Sequence, residues 1–219
     1  TIVSTDMVDP VAQHYGVELR RCLTGFKYIG DIIADLEQKE GSDESFLLGF
    51  EESYGYLPGG YVRDKDAVAA SMLICQMASY YKRQGKTLVD VMNDLYEDYG
   101  YYQNVTLNFA FEGEDGMKTM ARIMTTLREQ PPAEIAGTKV IGRSDYLLSR
   151  SYGDKEGVID LPKSNVLEYR LGNGCKFIVR PSGTEPKIKI YLSGKGATKE
   201  ESLREIEKMK AAVPGVLGM

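Results

Sequence analysis

Val166-Leu167-Glu168-Tyr169-Arg170-Leu171-Gly172-Asn173-Gly174-Cys175-Lys176-Phe177-Ile178-Val179-Arg180-Pro181 holds two runs of strand-forming residues. Val166 to Leu171 and Cys175 to Arg180 flank the turn-forming Gly172-Asn173-Gly174, a spacing that predicts an antiparallel hairpin. Downstream, Ile188 to Leu192 alternates apolar and polar residues and predicts a further strand. Upstream, Val105, Leu107, Phe109 and Phe111 alternate in the same way, which describes a strand with one wet face. Two helices accompany these strands. Asp115 to Gln130 has a helical pattern stopped by Pro131-Pro132, and Thr198 with Glu201 makes a capping box that opens a C-terminal helix bearing Leu203, Ile206 and Met209. Antiparallel strands beside separate helices make this half α+β.

The first half has a different rhythm. Thr1 to Thr5 is predicted as a buried strand, Asp6 or Asp9 as the cap of a short helix that stops at Gly16, and Val17 to Arg21 as a second strand. Gly30 to Glu40 follows as a helix with Ile32, Ile33 and Leu36 on one side, then Ser45 to Phe50 as a short strand. Asp66 caps a helix that runs from Ala67 to about Gln84 and ends at Gly85; its near-continuous apolar surface predicts deep burial. Thr87 caps another, with Leu88, Val91, Leu95 and Tyr99 at helical spacing and Gly100 as its stop. Alternating strands and helices predict an α/β domain over residues 1–103, followed by the α+β domain over residues 104–219.

A length of 219 residues suits two modest domains. With 42% hydrophobic and 27% charged residues, disorder and collagen-like structure are excluded. No stretch approaches ~18 consecutive apolar residues, and Thr1-Ile2-Val3-Ser4-Thr5 lacks a basic leader region, so neither a membrane span nor a secretion signal is expected. Cys22, Cys75 and Cys175 form no Cys-x-x-Cys, which argues against a disulfide framework or zinc site and for a reducing cytoplasm. His14 is the only histidine, so a multi-His metal site is excluded within this sequence. An opening on an apolar, β-branched run without Met is expected of an excised piece. The net charge of -5 is unevenly spread: residues 1–103 hold 17 acids and 9 bases, residues 104–219 hold 15 acids and 18 bases. The second half therefore suits an anionic ligand, though its excess is far below a nucleic-acid footprint.

The clearest chemistry lies in Arg180-Pro181-Ser182-Gly183-Thr184-Glu185-Pro186-Lys187-Ile188-Lys189, a polar loop between two strands. Ser182 and Thr184 offer hydroxyls, Gly183 lets its N–H approach a ligand, and Arg180 offers a fork of donors suited to phosphate oxygens. Period-2 alternation puts Lys187, Lys189 and Tyr191 on one face, so a cation from the outgoing strand can return to the same anion. These residues fit both an anion cradle and a solvated turn. Gly49-Phe50-Glu51-Glu52-Ser53-Tyr54-Gly55 follows a predicted strand, where α/β sheets bind ligands. Glu51 can accept from two neighbouring hydroxyls and Ser53 adds a donor and acceptor, which suits a sugar; an acidic surface loop is the other reading. Adjacent Glu51 and Glu52 make a poor glycosidase pair, since such carboxyls flank a bond at ~5 Å or more. Arg63-Asp64-Lys65-Asp66 reads as cap and surface charge, and Thr24-Gly25-Phe26-Lys27 as a turn with one cation.

Taken together and in order, Thr24-Gly25-Phe26-Lys27, Gly49 to Gly55, Arg63 to Asp66 and Arg180 to Pro186 resemble the α-D-phosphohexomutase superfamily, in its phosphoglucomutase/phosphomannomutase branch. The resemblance extends over essentially the whole chain. It implies the third and fourth of four domains: a three-layer α/β sugar-binding domain with a mixed sheet, short of its N-terminal portion, and a TATA-binding-protein-like α+β domain. It further implies a cytoplasmic parent enzyme that moves a phosphoryl group between O1 and O6 of a hexose, with glucose favoured, through a phosphoserine, Mg²⁺ and a 1,6-bisphosphate. The family's Thr-Ala-Ser-His-Asn-type segment and Asp-x-Asp-x-Asp loop do not occur here; Asp64-Lys65-Asp66 has Val68 where a third acid is needed. Missing N-terminal domains are therefore expected to supply nucleophile and metal, with this chain inactive alone. Its expected partner is a phosphosugar, not nucleic acid or membrane. By the same resemblance, Glu51 and Ser53 grip the O3 and O4 hydroxyls beside Thr24, Gly25 and Lys27, while Arg180, Ser182, Gly183, Thr184 and Lys189 hold the phosphate that is not transferred. Lys65 matches a position sometimes assigned proton handling, where a cationic field would depress its pKa, with Arg63 as auxiliary. A non-catalytic sugar-phosphate-binding module and a nucleotide-sugar enzyme fragment remain as alternatives.

Overall fold

Gly100, at φ 93°, marks where the chain divides into two units, Thr1–Tyr99 and Gly100–Met219. The computed structural model describes residues 1–111, 115–183 and 185–219. The division precedes the expected 103/104 boundary because strand β3 (Tyr101–Ala110) already begins there.

In the first unit, α1 (Val8–His14) has Met7 at its N-cap, with no side-chain cap bond. Asp9 lies in the first turn, and Arg21 pairs with Asp6 and Asp9 at 3.0 and 2.6 Å. Thr1–Thr5 and Val17–Arg21 are not strands. Ser4 N–H turns back to the Thr1 carbonyl at 3.1 Å, and Ile2 N–H donates to the carbonyl of Cys22, just past the second segment, at 2.8 Å. Helix α2 (Phe26–Glu40) starts earlier than the predicted Gly30, behind Gly25 at φ 124°, and ends on left-handed Gly41. It buries Phe26, Ile29 and Ile33 in a small core with Cys22 and Leu57, and Leu36 farther along. Only the end of the predicted strand over residues 45–50 is regular: β1 (Gly49–Glu51) pairs antiparallel with β2 (Gly55–Leu57).

Asp66 caps α3 (Ala67–Lys82) as expected, accepting from the Val68 and Ala69 N–H groups at 2.9 Å each. Deep burial of α3 does not follow. Ala70 is its one buried residue; Val68 is 81% exposed, and Met72, Ile74, Met77 and Tyr80 also face outward. Within its unit α3 packs mainly on β2 and on α4 (Leu88–Tyr99), which cannot cover an apolar surface that runs all round the helix. Thr87 and Asp90 cap α4 reciprocally, N–H to side chain in each direction.

The second unit is the α+β, TATA-binding-protein-like domain. After β3 come α5 (Gly116–Glu129), β4 (Glu134–Ile135), β5 (Thr138–Asp145), β6 (Arg150–Gly153), β7 (Gly157–Val158), β8 (Leu167–Leu171), β9 (Lys176–Pro181), β10 (Lys187–Gly196) and α6 (Lys199–Leu217). The sheet is antiparallel throughout, in the order β3-β10-β9-β8-β5-β6-β7, with β4 on β5. Strands β4 to β7 lie in a stretch where the sequence predicts no element. Met120, Ile123, Met124 and Leu127 of α5 and Ile206, Met209 and Val213 of α6 form one core with Leu167, Phe177, Val179, Ile188, Ile190 and Leu192. Burial pushes the Tyr169 phenol well up, and its hydroxyl donates to the Leu127 carbonyl at 2.9 Å. Because side chains alternate, Lys189, Tyr191 and Ser193 of β10 stand on the opposite face. Among the described residues no helix is long and apolar enough to cross a membrane.

Candidate functional site

Glu51 ends β1 with its carboxylate 7% exposed, and its Oε1 lies 3.4 Å from the Lys65 ammonium. That ammonium also sits 5.1 Å from the centroid of the Phe26 ring, so three of the sequence motifs meet in space: Phe26, Glu51 and Lys65. Two glycines permit the approach. A Cβ on Gly55 would stand 2.7 Å from Glu51 Cγ, and one on Gly30 would stand 3.1 Å from the Arg63 carbonyl. Arg63 bonds the Gly60 carbonyl and pairs with Glu37 of α2, which fastens its segment to that helix. Thr24 Oγ1 is buried without a hydrogen-bond partner, an atom left for a ligand to satisfy. Ser53 is exposed in the turn after β1, within 3.5 Å of Glu52. Lys27 is exposed and lies over the Tyr28 ring at 4.7 Å.

The Lys65 pKa is raised, first by its hydrogen bond to Asp64 and further by Glu51. The expected depression is therefore reversed. In this structure Lys65 is the counter-ion of Glu51. An apolar cavity of about 580 Å³ in the same unit, walled by Val17, Leu19, Ile32, Leu36 and Leu47, takes in none of the sugar-site candidates.

In the second unit, antiparallel register sets Lys189 directly opposite Arg180. Arg180 Nη1 donates to the Tyr191 hydroxyl at 3.5 Å, and neither cation has an ion-pair partner among the described residues. Opposed like charges are unfavourable unless an anion lies between them. Lys187 is different: it pairs with Glu185, whose carboxyl is thereby held below its usual range. Ser182 N–H donates to the Lys187 carbonyl at 2.8 Å, and Ser182 Oγ accepts from Glu185 N–H at 3.2 Å, so the loop is closed on itself. A Cβ on exposed Gly183 would meet nothing within 4 Å, so space for a ligand's approach is present. Thr184 lies outside the described residues.

Asp64 is engaged by the Lys65 N–H and ammonium, and Asp66 by the α3 cap and the Tyr61 hydroxyl. Among the described residues no group of three or more His, Cys, Asp and Glu side chains could hold a metal ion. These residues do not fit a magnesium site. The sequence pattern singles out neither the stacking of Lys65 on Phe26 nor Asn108, which the register places opposite Lys189 on β3. The period-2 alternation of both strands was a signal for Asn108, but pairing register was not.

Residues 1–99 match the family model described as "Phosphoglucomutase/phosphomannomutase, alpha/beta/alpha domain III", and residues 122–210 match "Phosphoglucomutase/phosphomannomutase, C-terminal domain". A protein named phosphoglucomutase from Staphylococcus aureus (strain MRSA252) is 40% identical over 212 residues, covering 95% of this chain and 38% of that protein. Its namesake from Staphylococcus haemolyticus (strain JCSC1435) is 41% identical over 196 residues, 88% of this chain and 35% of that one. This chain thus spans well under half the length of these relatives. The crystal structure of the exocytosis-sensitive phosphoprotein pp63/parafusin from Paramecium, in open form, shares the fold over 99% of this chain and 36% of its own, at a TM-score of 0.70 and 19% identity.

Proposed function

This chain belongs to the phosphoglucomutase/phosphomannomutase family, and on that premise we propose that it is the substrate-recognition half of a cytoplasmic phosphohexomutase that interconverts glucose 1-phosphate and glucose 6-phosphate. In the first unit, the buried Glu51 carboxylate accepts from neighbouring sugar hydroxyls. Ser53 and the unpartnered Thr24 hydroxyl add bonds, with Gly25 and Lys27 completing the rim. In the second, Arg180 and Lys189 hold the phosphate that is not transferred, with Ser182, Gly183 and Thr184 as its further ligands. Preceding domains of the parent supply the phosphoserine, the Mg²⁺ site and the 1,6-bisphosphate chemistry. The observation that carries this reading is the opposed Arg180 and Lys189, neither with an ion-pair partner among the described residues, a pair of charges that suits a dianion.

The test is a titration of the 219-residue chain with glucose 6-phosphate at low ionic strength. Charge-assisted hydrogen bonds contribute about 1.5–3 kcal/mol each, so Arg180→Ala should weaken binding about tenfold or more. Equal affinities would overturn the phosphate grip. Turnover of glucose 1-phosphate by the isolated chain above a mock preparation would overturn its restriction to recognition.

A further inference from the structure

The cation pair is the middle and one end of a longer row. β3 is the edge strand of the sheet and β10 its neighbour, and their register sets Asn108 opposite Lys189 as β9 sets Arg180 opposite it on the other side. Directly opposed residues of paired strands share a face. Asn108, Lys189 and Arg180 therefore stand side by side across three strands, about 10 Å from end to end at the usual strand spacing. Asn108 is exposed, and its amide has no hydrogen-bond partner among the described residues.

Its neighbours narrow what that amide can do. The next row is Thr106, Tyr191 and Ile178; Tyr191 and Ile178 are buried, and the Tyr191 hydroxyl already accepts from Arg180. That row closes one side of the cation pair. An amide brings two N–H donors with no charge, so at this position it adds to an anion's bonds, whereas a carboxylate would neutralise Lys189. A half-buried strand needs no polar contact there: Val105, Leu107 and Phe109 already supply the packing of β3.

We propose that Asn108 is a further anion-binding residue, donating its side-chain N–H to the phosphate monoester dianion held by Lys189 and Arg180. The inference rests on the reading of that cation pair as a phosphate grip.

The experiment titrates inorganic phosphate into the 219-residue chain and its Asn108→Ala, Asn108→Asp, Asn104→Asp and Arg180→Ala variants at low ionic strength, following ¹H–¹⁵N spectra. Asn108→Ala should weaken binding severalfold and Asn108→Asp tenfold or more. Asn104→Asp puts the same charge on the same face of the same strand two rows away, and should stay within about twofold. In the wild type the Asn108 side-chain amide signals should move with phosphate and not with sodium chloride. If Arg180→Ala weakens binding while both Asn108 variants bind like the wild type, Asn108 takes no part. An Asn104→Asp loss as large as that of Asn108→Asp would show a field effect in place of a contact and overturn the proposal. If Arg180→Ala itself changes nothing, the grip is refuted and this inference with it. Asn108→Ala and the amide signals keep the test decisive should the aspartate variant fail to fold.

Discussion

Glu51 and Lys65 show how one buried carboxylate organises its surroundings. The ammonium at 3.4 Å offsets its burial, and Gly55 leaves room for its stem. Glu51→Gln should lower affinity for glucose 6-phosphate severalfold or more while leaving inorganic phosphate binding unchanged; equal losses for both ligands would mean that Glu51 does not read the sugar. Because the Lys65 pKa is raised, its charge and any stabilisation from it are fully present below the ordinary value of 10.5 and disappear only as pH rises through the higher folded value. A pH titration of sugar-phosphate binding should therefore show no limb near neutrality that Lys65→Met removes. Asp154 runs the other way. The Arg170 hydrogen bond holds its carboxyl below 3.8, so the stability it adds is present above that pH and is lost as pH falls through the depressed value. Melting curves of wild type and Asp154→Asn should differ by about 1 kcal/mol at neutral pH and converge in strong acid.

At the scale of elements, the helix ends follow from bonds that span three or four residues. Asp66, the Thr87–Asp90 pair and Thr198 are all legible in the sequence because each cap and its N–H partner are neighbours in the chain. Thr198→Ala should cost about 1 kcal/mol, read by thermal or denaturant unfolding. Strands depend on distant partners, and there legibility fell. Val17–Arg21 has strand composition but no ladder, and β5 and β6 pair through a stretch whose short runs carry little pattern. Burial of α3 was equally illegible, since an apolar surface states what a helix could bury and not whether a neighbour covers it. Ile74, 49% exposed, can become Gln with a stability change within about 0.5 kcal/mol; a loss of several kcal/mol would place it in a core.

On the scale of the whole molecule, the core of the second unit draws only on residues between Val105 and Leu217. Residues 100–219 expressed alone should therefore give a cooperative melt and retain phosphate binding, with Leu167→Ala costing about 2–5 kcal/mol; a non-cooperative profile would show that this core is not self-sufficient. The two-domain α/β then α+β order, the capped helices and the residue types of the sugar and phosphate motifs were determined by the sequence itself, because local hydrogen bonding and side-chain chemistry reside in neighbouring residues. Tertiary structure alone decided that Lys189 stands between Arg180 and Asn108, that Lys65 reaches Glu51 over the Phe26 ring, and that α3 lies exposed. Those outcomes depend on register and packing between segments far apart in the chain, where a shift of one residue along a strand would turn every side chain to the opposite face.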